Sequence, residues 1–303
     1  MTDKPRCGDA VPYWASAVRA TNSRRAEDPC ASDTRTTAEI IAAYLDGQRS
    51  DDATNSLATL HYRGGPEEFR AGLELLTSDD ARERAAGADL LAQLGWQDRT
   101  FLEESVDALL TALSDPDDSV VQSVIYALGH RASPRTVDAL LGFVDHPSAD
   151  FRYAAVHGLM PHDMPIVVEA LARLSRDVER DVRDWATFAL GSQFDSDSPI
   201  LRDALRQRLN DNDPEVRGEA LLGLARRRDT TSQMPFRESW RVSSHGDWAV
   251  EAAGHLADPR FLPALRELNE RLAGKDAVYF RGTVQDAIAA CEGRRAKDNE
   301  TLQ

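Results

Sequence analysis

The side chains best suited to chemistry fall into three sets, and their spacing separates them. Four histidines, His130, His146, His157 and His162, lie within 33 residues, with His61, His245 and His255 elsewhere. Neutral imidazoles bind zinc when three or four ligands converge at ~2 Å. Here there is no H-E-x-x-H string and no cysteine nearby, and His146-Pro147 stands where other turns carry Asp-Pro. The window therefore reads as solvated or packed histidine, and His146 as a turn substitution. No metal site is assigned.

The second set is a register of acids and arginines. Asp115, Asp177 and Asp211 recur, followed two residues later by Asp117, Glu179 and Asp213, while Arg152, Arg183 and Arg217 recur one unit apart. Paired carboxylates can do acid/base work. Catalysis needs one site, however, and these residues come as a series. They are expected to form a structural ladder of charge-assisted hydrogen bonds that fixes how units stack.

The third set is aromatic: Tyr126, His157, Phe188 and Leu222 share one position in successive units, flanked by Gln122, Tyr153, Asp184 and Gly218 and by Trp185. An aromatic column bordered by acid either packs between neighbouring helices or forms a surface that anchors a bound peptide. There is no Gly-rich phosphate loop, no G-x-S-x-G and no Cys/His pair around a nucleophile. No residue is assigned a catalytic role, and no cofactor is indicated.

The elements that position these residues follow from internal repetition. Anchors at Arg84, Val121, Arg152, Arg183, Arg217, Ala249 and Arg281 lie 37, 31, 31, 34, 32 and 32 residues apart, a period typical of helical solenoids. Relative to each anchor, apolar residues fall at −1, +3, +6 and +7, as in Val182, Ala186, Ala189 and Leu190. That stripe belongs to a helix buried on one side. Second amphipathic stretches, 136–144, 166–174 and 200–209, lie between, so each unit is an A helix followed by a B helix. Asp115-Pro116, Ser133-Pro134, Ser198-Pro199, Asp213-Pro214 and Asp258-Pro259 read as cap-then-proline starts. Glycines 129, 191 and 223 sit where a B helix ends or closely approaches a neighbour.

The D-x-D-x-x-V-R-x-x-A-x-x-x-L-G strings, best seen at 177–191 and 211–225, resemble HEAT-like repeats of the short bacterial kind found in phycobiliprotein lyases. The resemblance implies an all-α, right-handed α-solenoid of about seven antiparallel helix pairs, with B helices lining a concave face. It covers residues 66–293. Residues 1–35 read as a poorly ordered tail, 36–65 as degenerate capping helices and 294–303 as a C-terminal tail. Segment 230–247 departs from the pattern, and a short or bent A helix is expected there.

The chain has 303 residues, with 36 Lys+Arg against 51 Asp+Glu for a net charge of −15, and 42% hydrophobic residues. This suits a folded soluble protein and counts against sequence-independent nucleic-acid binding. Lysine occurs only at 4, 275 and 297, leaving few candidates for lysine chemistry. Three scattered cysteines and the absence of a long apolar run point to a reduced, cytoplasmic chain without a membrane span. The favoured function is a non-enzymatic scaffold that binds a protein, and the acidic charge suggests a basic one. The resemblance also implies two enzymatic alternatives. One is a bilin lyase or isomerase. The other is a HEAT-like DNA glycosylase, for which Asp184-Trp185 would fit but a basic stripe is missing. A small-molecule ligand stays open.

Overall fold

A computed structural model describes residues 30, 33–47, 51–95, 98–229, 246–272 and 278–301, and no strand occurs among them. The helices are α1 (Thr37–Asp46), α2 (Asp51–Arg63), α3 (Pro66–Leu76), α4 (Ala81–Ala92), α5 (Leu102–Ala112) and α6 (Asp118–Arg131). A 3₁₀ turn then leads into α7 (Val137–Leu141), followed by α8 (Ala149–Leu159) and α9 (Pro165–Leu174). Next comes α10 (Arg180–Phe188), which runs into a π turn, then α11 (Pro199–Arg208) and α12 (Pro214–Arg226). The described chain closes with α13 (Gly246–Leu256), α14 (Leu262–Arg271) and α15 (Val278–Thr301). Odd-numbered helices from α1 to α11 pack against their even-numbered successors, and α14 packs against α15. The B helices α4, α6, α8, α10, α12, α13 and α15 stack on one another in that order.

The apolar stripe does this work as its spacing predicts. Val120, Val124, Ala127 and Leu128 are buried, as are Val182, Ala186, Ala189 and Leu190, and the same register continues in α12. Two clusters of buried side chains result, one running from Ile40 to Leu224 and one from Leu221 to Cys291, with Leu209 packed against both. Each unit thus buries its face only by stacking on the next.

Backbone approach between B helices sets the stacking distance. A Cβ on Gly223 would lie 2.4 Å from the Gly191 Cα, and one on Gly129 would lie 2.9 Å from the Gly158 Cα. These glycines therefore serve close helix contact, which any side chain would block.

The arginine–aspartate ladder is present and bidentate. Arg84 donates to Asp115 at 2.7 and 3.0 Å, Arg152 to Asp177 at 2.7 and 2.8 Å, and Arg183 to Asp211 at 2.9 and 3.4 Å. Each arginine also holds two carbonyls of its own turn, such as those of His146 and Pro147 for Arg152. Arg217 makes the same carbonyl bonds to Asp211 and Asn212, but the register position one unit on is Ser243, which is not an acid and lies outside the described residues. The Arg84 guanidinium holds Asp115 below the usual carboxylate range. Burial alone would raise Asp177, but hydrogen bonds from Arg152 and the Glu179 N–H outweigh it and lower it.

One rung is replaced on both sides at once. Val121 stands at the arginine position and is buried, and His146 stands at the aspartate position. The His146 ring packs on Phe151 with centroids 4.2 Å apart. Its Nδ1 accepts the Ser148 N–H at 3.2 Å, doing for this turn what Asp177 Oδ1 does for the Glu179 N–H. An apolar contact thus takes the place of an ion pair without leaving either charge alone.

Three sequence expectations need correction. Asp115-Pro116 does not begin α6: Asp117 is the N-cap, and Asp115 sits one turn earlier, engaged with Arg84. Ser133 precedes a 3₁₀ turn and makes no side-chain cap, whereas Ser198, Asp213 and Asp258 do. The last helix continues to Thr301, beyond the expected boundary at 293. Most of the expected N-terminal tail, and most of segment 230–247, lie outside the described residues.

Candidate functional site

The B-helix stack places position +5 of α6, α8 and α10 in line, because successive units repeat the same rotation about their helix axes. Tyr126, His157 and Phe188 occupy that line and are all half-buried. His157 is its centre. Its ring lies 5.6 Å from Tyr126, 4.6 Å from Tyr153 and 4.6 Å from Trp185, and Trp185 meets Phe188 edge-on at 5.4 Å. Tilted and edge-on pairs at these distances are favourable ring geometries. The column therefore packs between neighbouring helices and also keeps part of each ring in contact with solvent.

Leu222 does not extend it. That side chain is only 8% exposed and belongs to the core, so the aromatic line ends at Phe188. Burial, helped by the charge of nearby His130, pulls His157 down to about 4, so its imidazole is neutral at pH 7. Its Nε2 is enclosed without a hydrogen-bond partner.

Acid closes both ends. At the α10 end, Asp184 has one oxygen 3.5 Å from Arg180 and the other enclosed without a partner. Burial pushes Asp184 up to about 6, against the attraction of Arg180. Arg180 crosses to the next unit as well, where it pairs with Asp213 and Glu215. Beyond Asp184 comes Glu219 of α12, buried, accepting hydrogen bonds from the Ser192 hydroxyl at 2.8 Å and the Trp248 indole N–H at 2.7 Å. Burial pushes Glu219 up to about 7 even though both bonds favour its ionised form. Gly218 makes room for this arrangement: a Cβ there would lie 2.5 Å from the Trp248 ring. At the other end, position +5 of α4 is Asp89, which accepts from the Tyr44 hydroxyl at 2.7 Å and is raised by burial.

Of the residues singled out by sequence, Tyr126, Tyr153, His157, Asp184, Trp185 and Phe188 come together on this face. Asp115, Asp177, Asp211, Arg152, Arg183 and Arg217 lie apart at the turns. Glu219, Trp248, Ser192, Asp89 and Tyr44 were not anticipated. Asp89 shares the +5 register and was open to detection there. Glu219 is a charge directly preceding the uncharged run 220–225, on the buried side of α12, which also marked it. Among the described residues no three His, Cys, Asp or Glu side chains converge as metal ligands, and no helix is long and apolar enough to cross a membrane.

Comparison with known proteins agrees with this architecture. Protein YibA of Escherichia coli (strain K12) is 28% identical over 230 residues, covering 73% of this chain and 81% of YibA. The solved YibA structure superposes with a TM-score of 0.63 at 24% identity, over 88% of this chain and 99% of that one. A chain of the solved Kap95p–RanGDP structure shares the fold at a TM-score of 0.55 and 15% identity, over 95% of this chain and 44% of its own length. The model for HEAT repeats matches residues 69–160 and 167–247. The stacked helix pairs and the matched segments lead to one conclusion: this chain belongs to the HEAT-repeat family.

Proposed function

We propose that the chain is a non-enzymatic protein-binding scaffold that takes up a basic segment of another protein along the B-helix face from α4 to α13. The observation that carries this reading is the half-buried aromatic line Tyr126–His157–Trp185–Phe188 with carboxylates at both ends. Aromatic rings offer a cation both apolar contact for its stem and attraction for its charge. Asp184, 3.5 Å from Arg180, gains a second counter-ion when an arginine or lysine of the partner approaches. The excess of acid over the whole chain adds long-range attraction that salt weakens.

Titration of a fluorescent Lys/Arg-rich octapeptide by anisotropy tests the proposal. Saturable binding is expected, at least tenfold weaker at 0.5 M than at 0.05 M salt. Trp185→Ala is expected to weaken it about tenfold or more, a typical anchor-residue loss. Absence of saturation at low salt, or identical binding by Trp185→Ala, would overturn it.

A further inference from the structure

A second feature lies away from the aromatic face, at the turns between α9 and α12. A pocket of about 400 Å³ opens there, lined by Arg176, Asp177, Arg183, Gln207, Arg208, Asn210, Asp211 and Asn212 with Val178 at its edge. Its walls are polar, and its charges are unevenly matched. Asp177 is held bidentately by Arg152 from the preceding unit, and Asp211 bidentately by Arg183. The ladder is complete with those pairs. Arg176 and Arg208 are therefore surplus cations in the same pocket.

Arg208 reaches Asp211 with one Nη1 at 3.2 Å, but its Nε is enclosed and finds no acceptor. A buried guanidinium N–H without an acceptor is costly. Burial and the like charges of Arg183 and Arg176 lower Arg208, opposed only by Asp211. The Arg176 side chain makes no ion pair among the described residues, and the side-chain amides of Gln207, Asn210 and Asn212 make no hydrogen bond there. The combination does not recur along the ladder. At the positions of Arg176 and Arg208 relative to their aspartates, the other rungs carry Ser114 and Ala112, and Asp145 and Phe143. A series would argue for stacking; a single occurrence argues for a site.

We propose that this pocket binds a tetrahedral oxyanion, inorganic phosphate or a phosphoryl group, between the Arg208 and Arg176 guanidiniums with the Asn210 and Asn212 amides as further donors. Planar guanidinium forks match phosphate oxygens in geometry as well as charge. The ligand would accept from the outer guanidinium nitrogens and offset the crowding of three arginines.

The test uses the full chain, with inorganic phosphate as the probe and sodium chloride at matched ionic strength as the reference. Phosphate at ten times its dissociation constant is expected to raise Tm by about 3 °C over the reference. Arg176→Gln, a surface change that leaves the ladder intact, is expected to weaken phosphate binding several-fold by calorimetric titration. Arg176→Gln with Arg208→Gln is expected to abolish it. Phosphoserine in a parallel titration separates the two sources: tighter binding of the ester assigns a phosphorylated partner, and equal or weaker binding assigns the free ion. An equal rise in chloride, a titration that does not saturate, or undiminished binding by Arg176→Gln would each overturn the proposal.

Discussion

Replacing Asp177 by alanine removes the acid from the middle rung of the ladder, and the structure sets the size of the effect. Two charge-assisted hydrogen bonds from Arg152, at 2.7 and 2.8 Å, are lost, together with the bond that Asp177 accepts from the Glu179 N–H. Both partners are largely shielded, with side chains 14% and 8% exposed, so water replaces those bonds poorly. Arg152 keeps its two carbonyl acceptors, which moderates the penalty below that of an isolated buried charge. The expected cost is about 3 kcal/mol. Arg152→Ala is expected to cost about 2 kcal/mol, and the double variant about 3.5 rather than 5, because neither charge is left alone. The coupling is then about 1.5 kcal/mol, the type of joint change that Val121 and His146 already embody.

Urea unfolding followed by circular dichroism measures these values. Hydrogen exchange of α8 and α10 shows whether the loss is local, since stacked arrays can unfold in parts. Asp177 lies below its ordinary range in the folded state, so its contribution is present above the unfolded value near ~4 and is lost as pH falls through the folded value. The difference between wild type and Asp177→Ala should accordingly hold from pH 5 to 8 and shrink in stronger acid. Additivity within about 0.5 kcal/mol, or a single-variant cost below about 1 kcal/mol, would refute the ladder as a stacking device.

Glu219 gives the opposite pH behaviour. With its folded value raised to about 7, it favours the folded state while protonated, and that contribution falls away as pH rises from ~4 through 7. Glu219→Gln, whose Oε1 can accept from the Trp248 indole N–H while its amide donates to the Ser192 hydroxyl oxygen, should stabilise the protein by about 2 kcal/mol at pH 8 and by much less at pH 5; equal effects at the two pH values in thermal melts would contradict this. Gly223→Ala would place a methyl 2.4 Å from the Gly191 Cα and should cost about 1–3 kcal/mol as α10 and α12 separate, read by urea unfolding; a neutral result would show that the stack yields easily there.

The sequence made legible what repeats along it and concealed what pairs across it. Anchor spacing and the −1, +3, +6, +7 stripe were enough to place Val182, Ala186, Ala189 and Leu190 in the core, because burial follows helix rotation. The ladder was legible for the same reason, as Arg84, Arg152 and Arg183 each meet an aspartate one unit later. Position +5 lies at the border of the stripe, where rotation alone leaves exposure open, so Phe188 stays half-buried while Leu222 is enclosed. Glu219 and Trp248 are 29 residues apart, and only the stacking of α12 on α13 joins them. A further set was hidden because its acceptors are carbonyls, which leave no mark in a sequence. Arg227 donates to the carbonyls of Leu190, Gly191, Phe194 and Ser196 in the preceding unit. Arg131, fully buried, does likewise with Leu94 and also bonds the Ser105 hydroxyl.

Those arginines change how the net charge of −15 should be read. Arginines in the ladder neutralise Asp115, Asp177 and Asp211, while Arg131 and Arg227 spend their charge on the partial negative ends of B helices. Neither group leaves much positive charge free at the surface. Acid without a close arginine is therefore the dominant long-range charge, and Asp89 and Glu219 bring some of it to the two ends of the aromatic face. Burial raises both, and Glu219, raised to about 7, carries a reduced charge near neutral pH until a cation arrives. A basic segment seated there would favour their ionised forms and strengthen its own attraction, whereas a neutral or acidic segment would gain nothing. Under the scaffold proposal, the buried carboxylates at its ends would make this face favour basic partners, and the rings between them would supply contact that any extended peptide can use.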